Sequence, residues 1–291
     1  MRYYHDEELK GHAMCFDNPL EMINEVEAAQ TTCPSHFRVT QSNKKGGFST
    51  DWSEEFRSFK HCRERLAVPW KEGKQRTEDI IEKIKQELPI PKSRRRRARW
   101  SEDRGELDID RAWVGDPMMF RDVRRDITTG PANIVMLCNL DAIGTDKPGK
   151  IWMRSAAAIA VADILEDAGY STEMHMWCRG DEVYASPSSE QFTTCPIKQA
   201  GEPVDRDTLI QSLAPWFLQV GVFGSFPCAK NAKQVGYGYP LYEIGEWVKY
   251  CDLDQNSHIL NFPVVTTMDE AVVAGYDMLE SISSGEYLTA D

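Results

Sequence analysis

An α/β fold built on a mostly parallel central sheet is what this chain predicts, and three observations carry it. Residues 133–139 (Asn-Ile-Val-Met-Leu-Cys-Asn) form a short apolar run bounded upstream by Thr128-Thr-Gly-Pro131, as a buried strand does. Residues 152–168 form one alanine-rich helix, in which Ala156, Ala157, Ala158, Ala160 and Ala162 permit close approach to a sheet and Gly169 supplies the stop. Residues 171–178 return as a second strand. Strand, helix and strand in that order make a βαβ unit, so the two strands run parallel. Strands without polar alternation need cover on both faces, which puts residues 133–139 in the middle of the sheet with helices on either side.

The rest of the chain is read around that unit. Residues 18–29 carry Leu20, Ile23 and Val26 at helical spacing. Residues 51–66 and 71–88 read as helices, the second with Ile80, Ile81, Ile84 and Leu88 as a stripe on a charged background, ended by Pro89-Ile-Pro91. A lopsided run follows, Arg94, Arg95, Arg96, Arg97 and Arg99 before Trp100, and then an acidic stretch with Glu106, Asp108 and Asp110 alternating. Residues 117–126 predict a further helix. Beyond the central unit, residues 192–199 predict a third strand, with Pro196 marking an edge. Asp205 or Asp207 caps a helix over 208–213, residues 216–223 are apolar and helical, and residues 243–250 make a short helix. Residues 258–265 form the last strand, and Thr267 with Glu270 forms a capping box for a helix over 268–282. The organisation expected is a mainly helical N-terminal extension (1–91), an Arg-rich and acidic connector (92–132) and an α/β domain (133–291).

Charge divides the chain unevenly. Residues 1–132 hold 25 Lys and Arg against 24 Asp and Glu, whereas residues 133–291 hold 9 against 22. The acidic half repels nucleic acid, so any such contact falls to the N-terminal half. None of the eight cysteines forms a CxxC pair, the opening residues are polar, and no apolar run reaches the roughly 20 residues a bilayer requires. A cytoplasmic protein with reduced thiols and no membrane contact is the expectation.

Three segments invite chemistry. Gly144-Thr-Asp-Lys-Pro-Gly149-Lys150-Ile151 matches GxxxxGK between a strand and a helix, which makes Gly144, Gly149 and Lys150 candidates for cradling phosphates. Ile151 stands where a Mg²⁺-ligating hydroxyl is needed, and the loop starts several residues past the strand end. At that strand end Asn139, Asp141 and Asp146 are the candidate cation ligands, too few hard ligands to hold Mg²⁺ well. Arg94, Arg95, Arg96, Arg97, Arg99 and Trp100 could contact nucleic acid, with the neighbouring acids as the competing partners. His175 lies inside a strand, where a hydrogen-bonded structural histidine is the default.

The strand, polar loop and alanine-rich helix resemble the opening of a von Willebrand factor A-like domain, whose DxSxS metal motif ends the first strand. Here Asn139 stands at the Asp position, Asp141 at the first Ser and Ile143 at the second. The resemblance implies a Rossmann-like three-layer sandwich with a degenerate metal site. Residues Arg94–Trp100, Glu106-Leu-Asp-Ile-Asp-Arg111, Tyr170-Ser-Thr-Glu and Pro263–Ala271 are similar to those of uncharacterised bacterial and phage proteins with such a C-terminal half. With no complete catalytic constellation, the expected function is a non-enzymatic scaffold or protein-binding module without a cofactor. Its partner would be another protein. A nucleotide- or phosphate-binding enzyme and a nucleic-acid-associated factor are the alternatives.

Overall fold

The computed structural model describes residues 1–32, 59–68, 71–88, 98–101, 106–107, 109–123, 133–140, 148–181, 190–225, 243–253, 257–263 and 265–284. In chain order the strands are β1 (Arg2–Asp6), β2 (Gly11–Cys15), β3 (Ala98–Ser101), β4 (Glu106–Leu107), β5 (Phe120–Val123), β6 (Asn133–Asn139), β7 (Ser171–Asp181), β8 (Glu190–Lys198) and β9 (His258–Phe262). The helices are α1 (Pro19–Thr32), α2 (Phe59–Ala67), α3 (Lys71–Glu87), α4 (Ile109–Trp113), α5 (Pro148–Asp167), α6 (Arg206–Ser212) and α7 (Met268–Ser284). A further helical stretch covers 215–225, with a π-helical turn at Leu218–Val222, and a 3₁₀ helix spans Gly245–Cys251.

The expected βαβ unit is present as β6–α5–β7. Asn133 to Asn139 pair in parallel with Ser171 to Trp177, and β9 joins the other side of β6, also in parallel. Gly169 closes α5 at φ +92°, a left-handed position that suits glycine. There the Gly169 N–H donates to Glu166 O at 2.9 Å and Tyr170 N–H to Leu165 O at 3.0 Å.

The sheet is mixed, which corrects the mostly parallel expectation. Its order is β1-β2-β8-β7-β6-β9, with β1/β2 and β7/β8 antiparallel. β6 is an interior strand, but second from one end and not central. Residues 2–6 and 11–15 carried no sequence pattern, yet β2 pairs in parallel with β8 and β1 forms the outer edge. Their sequences (Arg-Tyr-Tyr-His-Asp and Gly-His-Ala-Met-Cys) lack clean alternation because one strand is exposed and the other buried between neighbours. Pro196 lies in an interior strand but past the end of β2, whose last register pair is Cys15 with Thr194. The missing N–H therefore costs no ladder bond on that side.

Residues 117–126 were expected to be helical, and β5 replaces that helix. The Asp116 carboxylate accepts from Met118 N–H (2.9 Å) and from Arg111 Nη1 (3.2 Å), turning the chain out of α4. Phe120–Val123 then pairs antiparallel with β3 and β4 in a separate three-stranded sheet. Long-range pairing has overridden local propensity.

One face of the large sheet carries almost all the helices. Ile134, Met136 and Cys138 meet α5 there, with Met174 and Met176 of β7 beside them. α5 is buried nearly all round, because α3 and α7 pack on its outer side. Its alanines therefore serve helix–helix approach as well as helix–sheet approach. Lys74–Asp207 (3.0 Å), Arg206–Asp163 (2.6 Å) and Lys85–Asp167 (3.4 Å) tie α3 and α6 to this layer. On the opposite face Val135, Leu137, Trp177 and Phe192 form a second, smaller core beneath Trp247 and Cys251 of the 3₁₀ helix. Among the described residues that short helix is the cover on this face, in place of the helical layer expected.

Candidate functional site

Asn139 ends β6 and is buried. Leu140 N–H donates to Trp177 O (2.8 Å), and the buried Arg154 guanidinium, in the second turn of α5, donates to Asn139 O at 2.8 Å. A fixed positive charge thus sits directly beneath the strand end. That opposes a divalent cation there, so the described residues at this strand end do not fit the metal that the fold resemblance implies. Asp141, Asp146 and Gly144 lie outside the described residues. Gly149 and Lys150 fall in the first turn of α5, as a phosphate loop would place them. The Lys150 charge, however, is felt at the start of α7. Glu270 is held below the usual carboxylate range chiefly by hydrogen bonds from the Thr266 hydroxyl and backbone N–H, with Lys150 a lesser cause. No three His, Cys, Asp or Glu side chains come together as a metal site among the described residues.

The same end of the sheet holds a closed polar set. Arg179 donates to Glu190 Oε2 through Nε (3.0 Å) and Nη2 (2.7 Å), and Trp247 Nε1 donates to that oxygen at 2.8 Å. Arg179 Nη1 also reaches Glu243 O at 2.8 Å. These groups fasten the 3₁₀ helix over the sheet.

Arg94, Arg95, Arg96 and Arg97 lie outside the described residues, while Arg99 and Trp100 are register positions in β3. Arg99 stands opposite Asp122, and Trp100 opposite Arg121, which in turn stands opposite Glu106. Glu106 and Asp110 do not share one extended segment, because β4 ends at Leu107 and α4 begins at Ile109, and Asp108 lies outside the described residues. Around α4 the structure shows what the sequence reading missed. Leu107, Ile109, Trp113, Val114 and Met118 are all exposed, and Trp113 is 88% accessible. Ile109 and Trp113 are one helical turn apart and share a face. The signal was available: five large apolar residues in a charged stretch too short to build a core.

On the thinly covered face, at the end opposite Asn139, β7 and β8 lose register between Met174 and His175, facing Pro196. His175 is 3% exposed, and its Nε2 lies 2.6 Å from Glu173 Oε1. Both line an open cavity of about 230 Å³, with Cys15 and Thr194 in the floor and Arg2 and Asp252 at the rim. Burial pushes the Cys15 and Cys251 thiols up to about 12, which makes both poor nucleophiles.

Residues 7–282 match a family described as Domain of unknown function (DUF7192). No curated protein and no solved structure matches the chain. No described helix is long and apolar enough to cross a membrane.

Proposed function

Because the chain belongs to the DUF7192 family, its role must be read from its own surfaces, and we propose a non-enzymatic protein-binding module that docks its partner on the patch around Trp113. The observation that carries this is the exposure of five large apolar side chains within residues 107–118. Grouped apolar exposure of this kind marks interaction surfaces, and tryptophan is among the residues that dominate their energetics. The partner expected is a protein with an apolar centre and an acidic rim. Residues 92–132 hold 11 Lys and Arg against 8 Asp and Glu, a basic island on a chain whose net charge is −12. Two copies meeting patch to patch would oppose like charges, which favours a different chain.

The scaffold in this proposal is a von Willebrand factor A-like domain with a degenerate metal position, acting without a cofactor. The β6–α5–β7 unit and the parallel β9 support that reading, and so does Arg154 beneath Asn139. Antiparallel β7/β8 pairing is its departure from an all-parallel core.

Photo-crosslinking from position 114 in the source cells, followed by binding of the purified pair, tests the function. The expected result is a protein adduct whose purified partner binds wild type and loses about 30-fold in affinity with Trp113→Ala, at unchanged thermal stability. Binding that is indifferent to Trp113→Ala overturns the proposal. So does an adduct that proves to be nucleic acid, with salt-resistant binding lost when Arg94–Arg97 and Arg99 become Gln; that outcome would favour the nucleic-acid reading.

A further inference from the structure

We propose that the cavity around Glu173 and His175 is a binding site for a small organic ammonium ligand, independent of the Trp113 patch. Four segments distant in sequence build it: the N-terminal hairpin, β7, β8 and the 3₁₀ helix with the residues that follow it. Its volume, about 230 Å³, suits a molecule of a few heavy atoms.

The charges select the ligand's sign. Asp17, Glu173 and Asp252 line the cavity against one cation, Arg2, which already pairs with Asp252 (2.7 Å) and Asp17 (3.7 Å). Glu173 commits only one carboxylate oxygen, to His175. The Thr194 hydroxyl is already engaged by Met176 O (3.2 Å) and Cys251 Sγ (3.6 Å), so it offers the cavity no free proton. Acceptors thus outnumber donors, and a positively charged N–H donor is the complement.

Two independent features single out His175. The break in the β7/β8 ladder falls at this residue, and bulges of this kind commonly re-aim a side chain beside a site. The ring forms part of the cavity wall while almost wholly buried, and its Nδ1 has no hydrogen-bond partner. The contact of Nε2 with the Glu173 carboxylate leaves Nδ1 as the unpartnered nitrogen of the ring. Unmatched polar atoms on so buried a ring are rare in native structures. The bound ammonium would sit against the free Glu173 oxygen, with His175 holding that carboxylate in place. Here Glu173 is the ligand contact and His175 its positioning residue.

Ethanolamine is a suitable probe, with acetate and glycerol as anionic and neutral counterparts, in NMR titrations of the full chain. Ethanolamine at millimolar concentration is expected to shift the amide resonances of Glu173, His175 and Thr194, while the other two leave them unmoved. Glu173→Gln should weaken binding about tenfold or more, as loss of a charge-assisted bond does. Asp252→Asn provides the second variant. Its residue is exposed at φ +55°, which asparagine tolerates, so the fold survives and affinity should fall by a smaller factor. Acetate binding as well as ethanolamine, no shift at these three residues up to about 100 mM, or binding unaffected by both substitutions would overturn the assignment.

Discussion

Gly11 shows how little room the thin face of the sheet leaves. A Cβ there would lie 2.4 Å from Glu190 O and 2.9 Å from the Trp247 ring. The first of these is backbone and cannot give way, and Trp247 is held by its bond to Glu190 Oε2. Gly11→Ala is therefore expected to cost about 1–3 kcal/mol through overpacking, seen as a lower denaturant midpoint at unchanged slope. The cysteines carry a second residue-scale prediction. Cys15, Cys62, Cys138, Cys178, Cys195 and Cys251 are all buried and outside any disulfide, and burial raises Cys138 to about 12. At pH 8 iodoacetamide should leave these six unmodified in the native protein and label them on denaturation, as mass spectrometry of peptides would show. Rapid labelling of Cys15 in the folded chain would mean that the cavity floor is open to reagents.

The 3₁₀ helix Gly245–Cys251 depends at the element scale on one carboxylate. Asp6, at the end of β1, accepts from Lys249 Nζ (2.6 Å), Tyr250 Oη (2.7 Å) and the N–H groups of Glu8 (2.9 Å) and Leu9 (3.0 Å). The bond from Lys249 is the main reason its carboxyl lies well below the usual range, and the same bond raises Lys249. A depressed carboxylate contributes stability above its unfolded pKa of about 3.9 and loses it as pH falls through the folded value. A raised lysine contributes below its unfolded pKa of about 10.4 and loses it above the folded one. The clasp should therefore hold from about pH 4 to 10, with amide protection factors over 245–251 uniformly high in that window. Asp6→Asn should lower those protection factors at neutral pH and abolish their fall on acidification.

This clasp was invisible in the sequence, because Lys249 and Tyr250 lie more than 240 positions from Asp6. Signals confined to one element were legible. The apolar run of β6, the alanines and Gly169 stop of α5, and the Thr267 cap of α7 were readable, and of the two caps offered for α6 the structure uses Asp205. What depends on distant partners was not: β1 and β2 joining β8, residues 120–123 extending against β3, and the cavity. His175 looked like an ordinary strand histidine because its unsatisfied nitrogen and the shifted register opposite Pro196 exist only after pairing.

The whole molecule interleaves its two sequence halves. β2 occupies the sheet beside β8, and α3 lies across α5, with Ile81 and Ile84 in the same core as Ile159 and Leu165. Gln211 of α6 donates through Nε2 to Arg65 O and Val68 O, both at 2.7 Å, satisfying carbonyls at the end of α2. Residues 133–284 alone would expose the outer face of α5, leave the β2 side of β8 without a partner and open the floor of the cavity. An unpaired, apolar strand edge of that kind invites association between chains. A chain beginning at residue 133 is therefore expected to aggregate or to show no cooperative transition. The intact protein should instead unfold in a single step, with far-UV circular dichroism and tryptophan fluorescence coincident. The fluorescence is informative because Trp152, Trp177, Trp216 and Trp247 are buried across both faces of the sheet. Two separated transitions in the intact chain, or a cooperative melt of the truncated one, would show that the N-terminal strands and α3 are an accessory to the fold.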